Sequence, residues 1–92
     1  MVSLFGSAYS TTPHHLHEAD VKKMVSPQRV ASVDYHDEQI VETAILAHRD
    51  SAHCISLQKI HDVLTKLVVE GKIAQNDKEG LMTVFKGFYN NL

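Results

Sequence analysis

The chain has 92 residues, a formal charge of −2 and 43% apolar residues. That length holds one domain rather than two, and that apolar share excludes wholesale disorder. Nine Lys and Arg residues lie scattered apart from Lys22-Lys23, so the basic stripe expected of a nucleic-acid binder is missing.

One cysteine cannot form an internal disulfide, which excludes a disulfide-stapled secreted scaffold and makes a reducing cytosol the expected compartment. The segment MVSLFGSAYSTTP lacks the charged and long apolar regions of a signal peptide. No run approaches the roughly 20 apolar residues of a membrane span, so a cytoplasmic protein is expected. Seven histidines is a high count for this length.

Residues 1–12 are small and polar around Leu4, Phe5 and Tyr9. Nothing periodic holds them, which predicts a flexible N-terminal arm. Residues 13–92 are expected to form a single helical domain. Thr12-Pro13 reads as an N-cap followed by proline at the first helical position, predicting a helix over about 13–25 with a thin apolar face. Glu18 and Asp20 lie early in it and Lys22 and Lys23 late, as the helix dipole favours. Ser26-Pro27 interrupts it, because the residue before proline is pushed out of helical geometry. The piece PQRVASV reads equally as a helical turn or an extended stretch.

DEQIVETAILAHRD follows, with Ile40, Val41, Ala44, Ile45 and His48 on one side at helical spacing. A helix over about 37–49 is predicted, apolar enough to touch more than one neighbour. Ser56 then caps the strongest helix, about 56–70. In it Leu57, Ile60, His61, Val63, Leu64, Leu67 and Val68 span an arc of roughly 160° at about 100° per residue. Gly71 is placed to end it in the left-handed conformation. The last helix is expected over about 77–90. Asn76 and Glu79 resemble a capping box, and Leu81, Val84, Phe85, Phe88 and Leu92 share one face, with Met82 and Tyr89 at its edge. The competing reading of residues 72–89 is a β-hairpin, the wing of a winged-helix domain. It is disfavoured because LMTVFKGFY mixes apolar and polar residues on both faces when read as a strand. The fold class predicted is therefore all-α, a small three- to four-helix bundle.

Two histidine-rich stretches invite a chemical reading. In SAHCISLQKIH, His53 and Cys54 are adjacent and their side chains tend to diverge. His61 lies about 7–8 Å further along the helix axis at 1.5 Å per residue. Nothing in that spacing forces the four-ligand tetrahedron of a structural zinc site; Cys54 reads as a small apolar residue and His61 as a core-edge one. In HHLH, a helical reading pairs His14 with His17, a loose chelate that Glu18 could join. His14, His17, His53, Cys54 and His61 are thus weak candidates only, and neither a metal nor another cofactor is expected. Catalysis is not expected either. No Gly-rich phosphate loop is present, and no basic cluster lies near Cys54 to activate the thiol.

A lone three-helix chain hides apolar stripes of about 100–120° each, so an arc of 160° predicts a flank that needs covering. The function expected is a non-enzymatic protein–protein interaction or regulatory module, acting as a homodimer or on another protein. Leu67, Val68, Phe85, Phe88 and Tyr89 are the candidate interface residues. No small-molecule substrate and no membrane partner are inferred. A winged-helix-like DNA-binding regulator is the alternative, and a histidine-dependent metal or pH responder a third reading.

Overall fold

A computed structural model describes residues 9–26 and 28–92. The expected arm's residues 1–8, with Leu4 and Phe5, lie outside this range, as does Pro27. The element order is β1 (His14–His15), α1 (Glu18–Met24), α2 (Tyr35–Ala47), β2 (Cys54–Ile55), α3 (Leu57–Val69) and α4 (Gln75–Asn90). Among the described residues the fold is a four-helix all-α domain with one two-stranded antiparallel ribbon, in which His14 pairs with Ile55 and His15 with Cys54.

The expected helix over 13–25 is corrected. Only Glu18–Met24 is helical, and His17, not Thr12, stands at its N-cap. Residues 14 and 15 are extended because they meet residues 54 and 55 across 40 positions of chain, and the Leu16 N–H donates to the His53 carbonyl at 3.0 Å. That pairing drives Leu16 into the core, where it is fully buried. Burying a leucine contributes about 1.5–3 kcal/mol, more than the weak local preference of Thr-Pro for a helix start.

The other three helices stand near their expected bounds. Asp34 caps α2, its carboxylate accepting the Asp37 N–H at 2.8 Å. This starts the helix two residues before position 37. Ser56 caps α3 as expected, accepting the Lys59 N–H at 3.1 Å, and Gly71 follows at φ 75°. The expected box at Asn76 is corrected: α4 begins earlier, after Ala74, whose N–H donates to the carboxylate of Asp77 at 3.0 Å. The hairpin reading of residues 72–89 is corrected too, since α4 runs unbroken from Gln75 to Asn90.

The core joins Val21 and Met24 of α1, Val41 and Ile45 of α2, Ile60 and Leu64 of α3, and Leu81 and Phe85 of α4. The connection between α1 and α2 is not passive. Val30 and Val33 are buried in it, above a turn in which the Ser26 carbonyl accepts the N–H groups of Arg29 and Val30. Gly80 permits this approach, because a Cβ there would stand 2.8 Å from Val30 Cγ1.

Residues 9 and 10 lie along α3. The Tyr9 N–H donates to the Gln58 side chain at 3.3 Å, the Gln58 N–H donates to the Ser10 carbonyl at 3.0 Å, and the Tyr9 ring lies 4.9 Å from that of His61. Tyr9 thereby shields the flank of α3 that carries His61.

Candidate functional site

The buried stripe of α4 is rotated from its expected position. Met82 and Tyr89 turn inward with Leu81 and Phe85, while Val84 and Phe88 stay half-buried and Leu92 is exposed. The rotation follows from the partners available. Ile55 and His14 take Tyr89: its hydroxyl donates to the Ile55 carbonyl at 2.7 Å, and its ring meets the His14 ring edge-on at 5.7 Å. Val84 and Phe88 are left on the side facing α1, where they line a groove of about 470 Å³ with Met24 as a third apolar wall. Gly87 lies on this groove, and a Cβ there would meet nothing within 4 Å. Its missing side chain keeps the groove open.

Asp20, Lys23 and Arg29 stand around this groove. Among the described residues none of the three forms an ion pair, whereas the neighbouring Lys22 lies 3.5 Å from Glu42 of α2. The groove therefore combines an apolar floor with unpaired charges of both signs. A second groove, about 390 Å³ between α2 and α3, is walled by Ile40, Ala44 and Leu67. Its cation, Lys72, already stands 3.6 Å from Glu70.

Of the five expected interface residues, Leu67, Phe85 and Tyr89 are buried within the single chain at 6%, 0% and 9% exposure. They are core, and the reason is that α2, α3, α4 and the ribbon between them close over these side chains. Val68 and Phe88 are half-buried, and only Phe88 borders the charged groove. Val84, read from the sequence as part of the last helix's apolar face, and Met24 belong to that surface but were not among the expected interface residues. Heptad-like spacing marks the two edges of a stripe equally, so only the position of β2 decides which edge is covered.

The histidines regroup. The expected helical pair His14 and His17 is corrected: His14 turns inward to Tyr89, and His17 instead meets His15, the ring centroids 4.3 Å apart. His15 in turn lies 6.1 Å from His53. Alternation along an extended chain puts residues 15 and 17 on one side, a signal hidden by the helical reading. His61 is not part of this group; its ring packs on Tyr9, and its Nδ1 is buried without a hydrogen-bond partner among the described residues. Cys54 is half-buried and its Sγ points at the Ala52 carbonyl, 3.7 Å away.

Burial of the Tyr89 phenol, with a smaller contribution from the nearby Cys54 sulfur, pushes its pKa up from 10.0 to about 12. This tyrosine is thus a neutral hydrogen-bond donor throughout the physiological range, holding the end of α4 to β2. Among the described residues no helix is long and apolar enough to cross a membrane. No protein-family model matches the chain, and comparison with curated proteins and with solved structures finds no match.

Proposed function

We propose that this chain is a small non-enzymatic interaction module that works as a homodimer, with a second copy seated over the α1–α4 groove. One observation carries the reading: half-buried Val84 and Phe88 lie beside Met24 in a groove bordered by Asp20, Lys23 and Arg29, none of which forms an ion pair among the described residues. A two-fold interface brings the same patch of both copies together, so residue i meets j and j meets i. A patch that holds both signs of charge is suited to that symmetry. Asp20 of one copy meets Lys23 and Arg29 of the other while the two Phe88 rings fill the opposing grooves. A partner of single-signed charge would leave one of these groups uncompensated, and an unpaired charge at a closed contact is costly.

The lone cysteine suits a cytoplasmic setting. The test is light scattering across a dilution series, at low and high salt. The expected result is a monomer–dimer equilibrium that Phe88→Glu abolishes and that Asp20→Lys weakens. Reversing the partner signs as well, with Lys23→Glu and Arg29→Glu added to Asp20→Lys, restores it. A monomer at every concentration, or a dimer indifferent to Phe88→Glu, overturns the proposal.

A further inference from the structure

We infer that the pocket between Tyr9, α3 and α4 binds a small phosphate monoester. It measures about 290 Å³, and its polar wall holds His61, Gln75, Lys78, Glu79 and Lys86. Two lysines against one carboxylate make it positive in a chain whose formal charge is −2. The two cations are held in place without being neutralised. Lys78 is half-buried, and its Nζ donates to the Thr65 hydroxyl at 3.2 Å. That hydroxyl is itself fixed, because it donates to the His61 carbonyl at 2.8 Å. Lys86 Nζ stands 5.7 Å from the centroid of the Tyr9 ring, within the range of a cation–π contact. Among the described residues neither lysine forms an ion pair. A half-buried ammonium without a counter-ion is costly, and an anion in the pocket relieves that cost.

His61 is the second observation. Its Nδ1 is buried without a hydrogen-bond partner among the described residues. The Asp62 carboxylate oxygen lies 3.7 Å away, beyond bonding distance, and already accepts the Gln58 side-chain amide at 2.9 Å. In the neutral ring the hydrogen therefore belongs on Nε2, which makes this pocket-lining imidazole a donor. The ring is steadied by Tyr9, the two centroids 4.9 Å apart. Two ammonium groups and one imidazole N–H match the three terminal oxygens of a monoester, which carries close to two negative charges at neutral pH. Glu79, whose carboxylate accepts the Gln75 amide at 3.4 Å, is suited to accept a hydroxyl from the rest of the ligand. The volume lies at the small end of ligand pockets, which run from about 300 Å³ upward, so the ester is a compact hydroxylated molecule.

The probes are inorganic phosphate and glycerol phosphate. Each is titrated into the full chain at constant ionic strength and about pH 7.5, with amide and histidine ring signals followed by NMR. Both should bind saturably at one site, and glycerol phosphate more tightly. Affinity for either falls at least about fivefold in Lys78→Gln and in Lys86→Gln, and it falls in His61→Gln as well. Lys66→Gln, at an exposed lysine of α3 outside the pocket, leaves it unchanged. Glu79→Gln tightens inorganic phosphate and narrows the advantage of the ester. Circular dichroism of each unliganded variant checks that the fold is kept. Shifts that rise linearly with phosphate and never saturate, or a loss in Lys66→Gln equal to that in Lys86→Gln, overturn the inference.

Discussion

Tyr89→Phe removes a single oxygen and separates two effects that act in opposite directions. At neutral pH the hydroxyl donates to the Ile55 carbonyl at 2.7 Å in a site only 9% exposed. Losing such a bond costs about 1 kcal/mol, so the variant is less stable by that amount. In alkali the order reverses. The phenol pKa stands at about 12 in the fold against 10.0 in the unfolded chain. The folded state therefore keeps a proton that the unfolded state releases. This contribution is fully present below pH 10 and is lost as pH rises from 10 towards 12, to a limit of about 3 kcal/mol at 1.36 kcal/mol per unit. The phenylalanine variant has no such proton to lose. Its stability curve should cross that of the parent between about pH 10.5 and 11, where the alkaline loss equals the value of the hydrogen bond. Urea unfolding followed by circular dichroism at half-unit steps from pH 8 to 11.5 measures both curves. Curves that stay parallel through pH 11 would refute the buried, hydrogen-bonded tyrosine.

Two further perturbations read the helices directly. Gly87→Ala meets nothing within 4 Å, so it should stabilise the protein by about 0.5–1 kcal/mol through helix propensity; Gly80→Ala should forfeit that gain because its Cβ would collide with Val30 Cγ1 at 2.8 Å, and paired thermal melts compare the two. Removing the caps by Asp34→Ala or Ser56→Ala should cost about 1 kcal/mol each, whereas Asn76→Ala should be near neutral because Asp77, not Asn76, bonds the α4 N-terminus; denaturant midpoints decide, and a cost at Asn76 equal to that at Ser56 would contradict the capping geometry.

What was legible in the sequence was the part determined by nearby residues. Leu57, Ile60 and Leu64 repeat at helical spacing, Ser56 precedes them and Gly71 follows, and all three signals act within a few positions. The misreadings share a different cause. Thr12-Pro13 is a sound local start for a helix, but residues 14 and 15 pair with residues 54 and 55, and no local pattern encodes that partner. The same ribbon decided the rest. It turned His14 inward, left His15 and His17 side by side, drew Tyr89 under Ile55 and so rotated α4 to leave Val84 and Phe88 half-buried. Asn76 and Asp77 were separable only by geometry, since either residue can cap and Asp77 is the one that is buried, at 4% exposure.

The breadth of α3's apolar arc is not what leaves room for a partner. Leu57, Ile60, Val63, Leu64 and Leu67 are all buried inside one chain, and Tyr9 with α4 closes the side that holds His61 and Val68. The accessible surface, 5366 Å² for 10.3 kDa, is close to the roughly 5,400 Å² that monomeric proteins of this mass display. A chain that needed its twin to fold would show more, because half of its core would lie open. The proposed association through the α1–α4 groove would therefore add to a chain whose described residues already close their own core, and the two should separate energetically. Phe88→Glu should abolish the dimer while leaving a cooperatively folded chain, and the unfolding midpoint of that variant should be independent of protein concentration. A concentration-dependent midpoint that persists in Phe88→Glu would place the contact on another face of the molecule.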